Sequence, residues 1–171
     1  MPATVLTERL LLRRWRVGDA APLAEIYSQP EYLATMPPAT AAEQIPMWER
    51  RWDEDGFAPW AACVRGSGRL IGRIGLLRHH DWPLEPDVVE VGWVLHRDFW
   101  GRGLATEGGR VSIAIWREHF ADDRLYSFTV PSNVRSLAVM ERLGMCLGGR
   151  AAWRGLEHIW YVLHRSEAVG P

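Results

Sequence analysis

A glycine-rich stretch, FWGRGLATEGG at residues 99–109, has the composition of a phosphate-binding loop. Gly101 and Gly103 flank Arg102, and the residues that follow are typical of the start of a helix. The first backbone N–H groups of a helix lack intrahelical partners, and the helix dipole adds about half a positive charge there. Glycines let the backbone approach an anion closely, and an arginine adds a charge-assisted contact. The loop could therefore bind a phosphate, although a plain glycine-rich turn also fits this stretch when it is taken alone.

The spacing of the glycines argues against the two best-known phosphate-binding motifs. A dinucleotide fingerprint requires G-x-G-x-x-G, but the next glycine after Gly103 is Gly108, two places late. A Walker A loop requires lysine before serine or threonine, and this chain contains no lysine. An oxidoreductase with a nucleotide cofactor is therefore disfavoured, and any phosphate bound here belongs to a different kind of ligand.

One carboxylate, Glu90, interrupts an apolar run that includes Val88, Val89, Val91 and Trp93. A carboxylate in such surroundings is costly unless it is solvated from a cleft or hydrogen-bonded. Partial burial would raise its pKa and make it a better general base near neutral pH. The competing interpretation is a glutamate that faces solvent from a twisted strand or is merely hydrogen-bonded.

Two polar residues, Asn133 and Ser136, open a later helical segment and are separated by one turn. Residues at this spacing lie on the same side of a helix. They follow a predicted strand at 124–130, so they project from its carboxyl end, where open α/β sheets bind ligands.

These candidate residues must be positioned by strands and helices that alternate along the chain. Strands are predicted at 10–16, 57–65, 69–78, 87–96, 124–130, 148–153 and 158–164, and helices at 20–28, 40–51, 104–119 and 133–143. Asp19 is the expected N-cap of the first helix, Thr40 and Glu43 form a capping box for the second, and Pro46 should shorten that helix. Residues 36–40 are predicted to form a rigid turn. The pattern predicts one mixed α/β domain over residues 1–171.

The charge and composition of the chain exclude several classes of partner. The 171 residues carry a formal net charge of −1, with acidic and basic residues interspersed, which argues against nucleic acid and against an electrostatic membrane anchor. The N-terminus has neither a signal-peptide pattern nor any run long enough to span a membrane. Cys63 and Cys146 lie far apart and are expected to be buried thiols in a reducing compartment. A cytoplasmic location is the expectation. Most of the ten tryptophans should be core, with a few lining a pocket.

A series of motifs extends over nearly the whole chain: TERLLLRRWRVGDA, RLIGRIGL, VEVGWVL, FWGRGLATE and NVRSLAVMERLGM. In this order they resemble the GNAT-type N-acetyltransferases, and within them the ribosomal-protein alanine N-acetyltransferase (RimJ/RimL-like) branch. The resemblance implies a single-domain α/β fold with a mixed, mostly antiparallel central sheet, splayed between the fourth and fifth predicted strands and flanked by about four helices. It also implies transfer of acetyl from acetyl-CoA, as co-substrate, to a primary amine, without a metal.

The resemblance assigns roles to residues of this chain. Glu90 and Ser136 are the implied catalytic residues, Glu90 as the base, acting directly or through a water, and Ser136 near the thiol. Backbone N–H groups of the loop would bind the CoA pyrophosphate, the pantetheine would lie in the gap between the splayed strands, and Asn133 would contact the pantetheine arm. The implied acetyl-CoA-binding residues are Trp93, Val94, Leu95, Trp100, Gly101, Arg102, Gly103, Leu104, Ala105, Thr106 and Asn133.

The chain departs from the family pattern at four positions. Trp100 replaces a glutamine or arginine, and Met140 replaces a tyrosine that serves other members as general acid. Arg142 replaces a lysine, and Met145 replaces an aromatic residue. Because methionine has no proton to give, the role of proton donor would pass to Ser136 or to water. These departures leave open an alternative, a non-catalytic acyl-CoA-binding regulatory module on the same fold.

The identity of the amine acceptor is the least readable property. An α-amine with a pKa of about 7.7–8.0 is partly neutral at pH 7, whereas a lysine amine at about 10.4 is almost fully protonated. This favours a protein N-terminus or a small-molecule amine of similarly low pKa. Residues 28–38 and the Trp48/Trp52 helix lie where this fold usually lines the acceptor groove. His79, His80 and Trp82, before the fourth predicted strand, could line it too, although core or surface packing explains each of these segments as well. The oligomeric state stays open, with a homodimer as one option.

Overall fold

The computed structural model describes residues 1–36 and 39–166, and eight strands of these residues form one sheet. The strands are β1 (Thr4–Leu6), β2 (Leu10–Arg13), β3 (Trp60–Val64), β4 (Leu70–His79), β5 (Val88–Leu95), β6 (Arg124–Thr129), β7 (Cys146–Trp153) and β8 (Leu156–His164). Their order in the sheet is β1-β2-β3-β4-β5-β6-β8-β7. Only the β5–β6 pair is parallel among these neighbours. The predicted mixed, mostly antiparallel sheet is therefore confirmed.

The sheet opens between β5 and β6. Their ladder consists of two positions, Val89 opposite Leu125 and Glu90 opposite Tyr126. Strand β5 continues to Leu95, paired on its other edge with β4. Beyond Glu90 the β6 side of β5 pairs with no strand in the part of the chain that the structure describes, so the predicted splay between these two strands is confirmed.

Helices cover both faces of the sheet. They are α1 (Ala20–Tyr27), α2 (Pro30–Leu33), α3 (Ala41–Glu54), α4 (Leu104–His119) and α5 (Val134–Arg142). Arg73 and Ile74 are consecutive on β4 and so point to opposite faces. The Arg73 guanidinium lies 5.5 Å from the ring centre of Trp48 on α3, whereas Ile74 packs against Gly108 of α4. Helix α3 thus lies on one face of the sheet and α4 on the other.

The start of the chain differs from the prediction. Residues Thr4–Leu6 form an edge strand that was not predicted, because three residues are too short to show a period. The predicted strand at 10–16 ends at Arg13. Asp19 occupies the N-cap position of α1, but its carboxylate accepts two hydrogen bonds from the Arg13 guanidinium, at 2.7 and 2.8 Å, instead of capping the helix. A buried ion pair has replaced the predicted cap.

Helix α3 is longer than predicted even though Pro46 lies inside it. The predicted capping box of Thr40 and Glu43 is present, and the helix continues to Glu54. An internal proline costs about 3 kcal/mol. Trp48 and Trp52 are both buried in the core, and each such side chain stabilises the packed helix by about 1.5–3 kcal/mol. Tertiary packing therefore outweighs the local effect of the proline. The turn predicted at 36–40 includes Pro37 and Pro38, which lie outside the described residues.

Most of the remaining predictions are confirmed. Helix α4 has the predicted bounds, and Gly144 after α5 has a left-handed φ of 76°. Seven of the ten tryptophans are buried, whereas Trp93 and Trp100 line a cavity. The prediction of two buried thiols is wrong for Cys146, which is exposed on the edge strand β7, while Cys63 is buried.

Candidate active site

A cavity of about 850 Å³ lies beside the open part of the sheet. Its wall is built from the end of β5, the glycine loop with the start of α4, the first turns of α5, and residues around α2. The predicted site residues on this wall are Trp93, Val94, Leu95, Trp100, Gly101, Gly103, Leu104, Ala105, Thr106, Asn133 and Ser136. Segments far apart in the sequence thus converge on one cavity of a size typical for small-molecule sites. Arg102 and Glu90 are not among the residues of the wall.

The glycine loop forms the N-terminus of α4 and presents free backbone donors. Gly101 and Gly103 have left-handed φ values of 70° and 75°, and Gly103 is the N-cap residue. The backbone N–H of Glu107 donates to the Gly103 carbonyl at 2.9 Å. The three preceding N–H groups, of residues 104–106, therefore have no acceptor within the helix. These three residues line the cavity, so this end of the cavity suits an anion.

Arg102 does not contribute its side chain to the cavity wall. Its guanidinium lies 5.3 Å from the ring centre of Phe99, and its carbonyl accepts a hydrogen bond from Arg9 at 2.7 Å. Arg9 also donates to Glu107 of α4. In this arrangement the exposed Arg102 side chain lies over an aromatic ring, and its charge-assisted contact with a phosphate stays a prediction.

Trp100 connects the loop to β5. Its indole N–H donates to the Leu95 carbonyl at 2.7 Å, and the Arg135 guanidinium lies 4.8 Å from its ring centre. The Leu95 carbonyl is thereby engaged by a side chain of the same chain. The tryptophan that departs from the family pattern thus has a structural contact of its own, and it brings an arginine of α5 to the cavity wall.

Asn133 and Ser136 lie on the cavity wall beside Trp93. The Asn133 side-chain oxygen accepts a hydrogen bond from the Ser136 backbone N–H at 3.3 Å and so caps α5. The Ser136 hydroxyl oxygen accepts a hydrogen bond from the Trp93 indole N–H at 3.0 Å. This leaves the Ser136 O–H to donate elsewhere. Met140, which stands where other family members carry a tyrosine, is fully buried in the core.

Glu90 occupies the last ladder position before β5 and β6 separate, and it is half-buried. Its carboxylate lies 2.7 Å from Nε2 of His79. Burial raises the pKa of Glu90, but the hydrogen bond with His79 and the charges of Arg73 and Arg154 outweigh burial and lower it. The expectation of a raised pKa is wrong, since it considered burial without the partners supplied by other elements.

Two further residues, His79 and Tyr32, belong to segments that the resemblance placed only as possible lining of the acceptor groove. His79, on β4, is diagonal to Glu90 in the β4–β5 ladder, and this relation depends on the strand register. Tyr32, on α2, is buried, lines the cavity, and stacks on Tyr27 with ring centres 4.2 Å apart. Burial raises the pKa of Tyr32, so its hydroxyl stays protonated. Neither residue stands in a recognisable motif, and no local signal could have shown that His79 contacts Glu90.

The polypeptide shows similarity to acetyltransferases by sequence. A family model for the acetyltransferase (GNAT) domain matches residues 9–146. A Bacillus subtilis relative, "Putative ribosomal N-acetyltransferase YdaF", is 26% identical, with 96% of each chain covered. An uncharacterized N-acetyltransferase, p20 of Bacillus licheniformis, is 27% identical over 82% of this chain and 80% of its own. No helix among the described residues is long and apolar enough to cross a membrane.

Solved structures agree with these sequence matches. An acetyltransferase from Agrobacterium tumefaciens superposes with a TM-score of 0.82 at 26% identity, covering 96% of this chain and 95% of that one. A ribosomal-protein-S5-alanine acetyltransferase from Vibrio fischeri has the same fold, with a TM-score of 0.76 at 16% identity and coverage of 99% and 100%. The implied fold and the resemblance to ribosomal-protein acetyltransferases are confirmed, as is the assignment of the chain as an acyltransferase. The chain belongs to the GNAT acetyltransferase family.

Proposed function

We propose that this chain transfers the acetyl group of acetyl-CoA to a primary amine, and that the acceptor is a protein N-terminal α-amine or a small-molecule amine of similar pKa. The observation that carries the proposal is the opening of the sheet beyond Glu90. It leaves the β6 side of β5 beside a cavity that extends to the N-terminus of α4. An extended molecule with a phosphate at one end and a reactive group at the other fits such a channel.

The residues of the wall suit the two ends of acetyl-CoA. Free N–H groups of residues 104–106 would bind the pyrophosphate, and the cationic Arg135 and Arg142 line the same cavity. The Asn133 oxygen is used by Ser136, so its amide nitrogen remains to donate to the pantetheine. The Ser136 O–H, with its oxygen already bonded to Trp93, would donate to sulfur.

The proposed reaction moves two protons and exchanges one bond. Glu90, acting through a water because its side chain lies outside the cavity wall, would accept a proton from the amine. The neutral amine nitrogen bonds to the thioester carbonyl carbon as this proton leaves it, and the carbon–sulfur bond breaks. The departing thiolate would be stabilised by the Ser136 hydroxyl and take a proton from solvent or from that group.

The lowered pKa of Glu90 supports an α-amine as the acceptor. A carboxylate whose pKa is lowered is ionised at neutral pH but is a weak base. An α-amine at pH 7 is already neutral to about a tenth, whereas a lysine amine is neutral to less than about a thousandth. A weak base therefore suffices for the former acceptor and serves the latter poorly.

The experiment measures thiol release from acetyl-CoA with a panel of amines: peptides with free N-termini, N-terminally blocked peptides containing lysine, polyamines and aminoglycosides. We expect release with the free N-terminal peptides or with a small amine of low pKa. Glu90→Gln should lower the rate about 10²-fold or more, the loss expected for a general base, while acetyl-CoA binding is kept.

Binding is followed by thermal shift, with NAD as the control ligand. Acetyl-CoA at 100 times its Kd should stabilise the protein by about 2.7 kcal/mol, which corresponds to a Tm increase of roughly 5–11 °C. A shift without thiol release from any amine would instead indicate the non-catalytic acyl-CoA-binding module. Full activity of Glu90→Gln would remove Glu90 from the mechanism.

A further inference from the structure

The Glu90 carboxylate is held by a chain of side chains that the proposed reaction does not use. His79 is 5% exposed and lies 2.7 Å from Glu90 through Nε2. We propose that His79 is a positioning residue for Glu90, kept as the neutral Nε2–H tautomer by Arg154, which is itself held by Asp81. This inference rests on the proposed function, because it concerns the base of that reaction.

The tautomer of His79 follows from the group on its other nitrogen. Nη2 of Arg154 lies 3.4 Å from His79 Nδ1. A guanidinium can only donate hydrogen bonds, so Nδ1 must be the acceptor and carry no proton. The single proton of the neutral ring is then on Nε2 and is donated to Glu90.

Arg154 is fixed in place by three contacts. Its Nε and Nη2 donate to the two carboxylate oxygens of Asp81, each at 2.9 Å. Its guanidinium lies 4.1 Å from the ring centre of Trp153, and the Trp153 indole N–H donates to Asp81 at 3.1 Å. The Arg154 backbone has a left-handed φ of 50°, which is costly for a residue other than glycine. These contacts hold the turn between β7 and β8 in that conformation, over His79.

Aromatic rings enclose the imidazole. Trp153 meets the His79 ring edge-on with ring centres 4.9 Å apart, and Phe128 does so at 6.0 Å. The His79 side chain therefore has few other orientations. The arrangement fixes where the Nε2–H points and, through it, the rotamer of Glu90 at the opening of the sheet.

The ionisable groups around Glu90 come from four parts of the fold. They are His79 and Arg73 on β4, Asp81 in the following loop, Arg154 in the β7–β8 turn, and Tyr126 opposite Glu90 on β6. Three are basic side chains, while Asp81 is neutralised by Arg154, and Tyr126 is hydrogen-bonded to Glu85. Removing His79 therefore takes away the one side chain that, among residues 1–36 and 39–166, is hydrogen-bonded to the Glu90 carboxylate, and the more distant cations remain.

The first test compares pH–rate profiles of kcat/KM for His79→Gln and His79→Ala with the wild type, using one amine throughout so that its own ionisation contributes equally. Glutamine can place a donor near the former Nε2 position and should retain most of the activity. Alanine should lower kcat/KM about tenfold or more and move the acid limb to higher pH, since Glu90 loses the partner that lowers its pKa. His119→Ala, an exposed histidine at the end of α4, is the control. An alanine variant with the wild-type profile and rate would overturn the proposal.

The second test reads the imidazole directly and needs no activity. Nitrogen chemical shifts of His79 in the wild-type protein should show the neutral Nε2–H tautomer at pH 7. Arg154→Asn, which tolerates a left-handed backbone, should lose that preference. An Nδ1–H tautomer or an imidazolium in the wild type would refute the inference. If these shifts are as expected but no amine is acetylated, the proposed function fails while the positioning of Glu90 by His79 stands.

Discussion

The ionisation of Glu90 depends on residues that lie far from it along the chain. Its immediate neighbours are apolar and favour a raised pKa, yet its pKa is lowered. The difference comes from His79 and Arg73 on the adjacent strand and from Arg154 in the β7–β8 turn. At the scale of single residues, the pKa of the proposed base is therefore set by contacts across the sheet.

Ser136 can be tested by removing its hydroxyl. Ser136→Ala should lower the turnover number about 10²-fold, because it removes the proposed donor to the leaving sulfur, a loss at the low end for catalytic hydrogen-bond donors. The Kd of acetyl-CoA should change little, since the phosphate end of the cavity is untouched. Steady-state kinetics and thermal shift check both expectations. Trp93→Phe is the companion variant, since it removes the indole N–H that bonds to Ser136 and keeps the hydroxyl. An unchanged turnover number in Ser136→Ala would contradict the assigned role.

At the scale of elements, strands β4 and β5 approach too closely for a side chain at Gly72. This residue has a φ of 150°, and an added Cβ would lie 1.9 Å from the Val94 carbonyl oxygen. Val94 and Leu95 line the cavity. Glycines inside a strand, here Gly72 and Gly75, predict a bulge or a close backbone approach. The close approach is observed at both, and the register shift of β3 against β4 lies nearby, between Ala62 and Cys63.

Gly72→Ala should destabilise the protein by about 3 kcal/mol, since it combines backbone strain with a clash that the opposite strand cannot relieve by a side-chain movement. The displaced end of β5 should also weaken acetyl-CoA binding. Urea unfolding and binding titrations measure the two effects. Gly66→Ala is the matched control, because an added Cβ there meets nothing within 4 Å and should change stability by less than about 1 kcal/mol. Equal stability of the two variants would contradict this account of the β4–β5 contact.

At the scale of the whole molecule, carboxylates tie distant segments together. Glu107 on α4 accepts hydrogen bonds from Thr7 and Arg9, which lie between β1 and β2. These contacts are next to the glycine loop, since Arg9 also donates to the Arg102 carbonyl. Burial raises the pKa of Glu107, but these hydrogen bonds outweigh it and lower the pKa. The hydrogen bonds of Asp81 with Arg154 likewise lower its pKa. Together with Glu90, these groups connect the N-terminus, the central helix and the β7–β8 turn.

Stability should therefore depend on acidity. A group whose pKa is lowered on folding stabilises the protein above its unfolded value, ordinarily 4.5 for glutamate, and this contribution is lost as the pH falls through the folded value. We expect little change in Tm between pH 7 and about 5 from these groups, and a decrease below about 4.5. Glu107→Gln should lower stability at pH 7 by about 1–3 kcal/mol and make the decrease shallower. Glu118→Gln, an exposed change on the same helix, is the control. A variant Glu107→Gln with the wild-type acid dependence would contradict the assignment.

The sequence alone determined the elements whose signals are local. The bounds of α4, the cap of α5 at Asn133 and the apolar strand β5 follow from side-chain period, capping residues and glycine punctuation, all of which act within a few residues. The glycine loop belongs here too, since a strand followed by glycines and a helix places free N–H groups at one point. That the domain spans residues 1–171 stays a prediction.

Only the tertiary structure decided which side chains meet. The register of β4 on β5 brings His79 to Glu90, and the packing of α3 outweighs Pro46. The stacking of Arg102 on Phe99 and the path of the β7–β8 turn over His79 are likewise unreadable from the local sequence. Apart from the stacking of Arg102 on nearby Phe99, these outcomes depend on contacts between separate segments of the chain, whose free energies no local pattern encodes. The sequence therefore determined the loop and helix that a phosphate requires, and the fold determined the surroundings, and so the ionisation, of the carboxylate proposed to accept the proton.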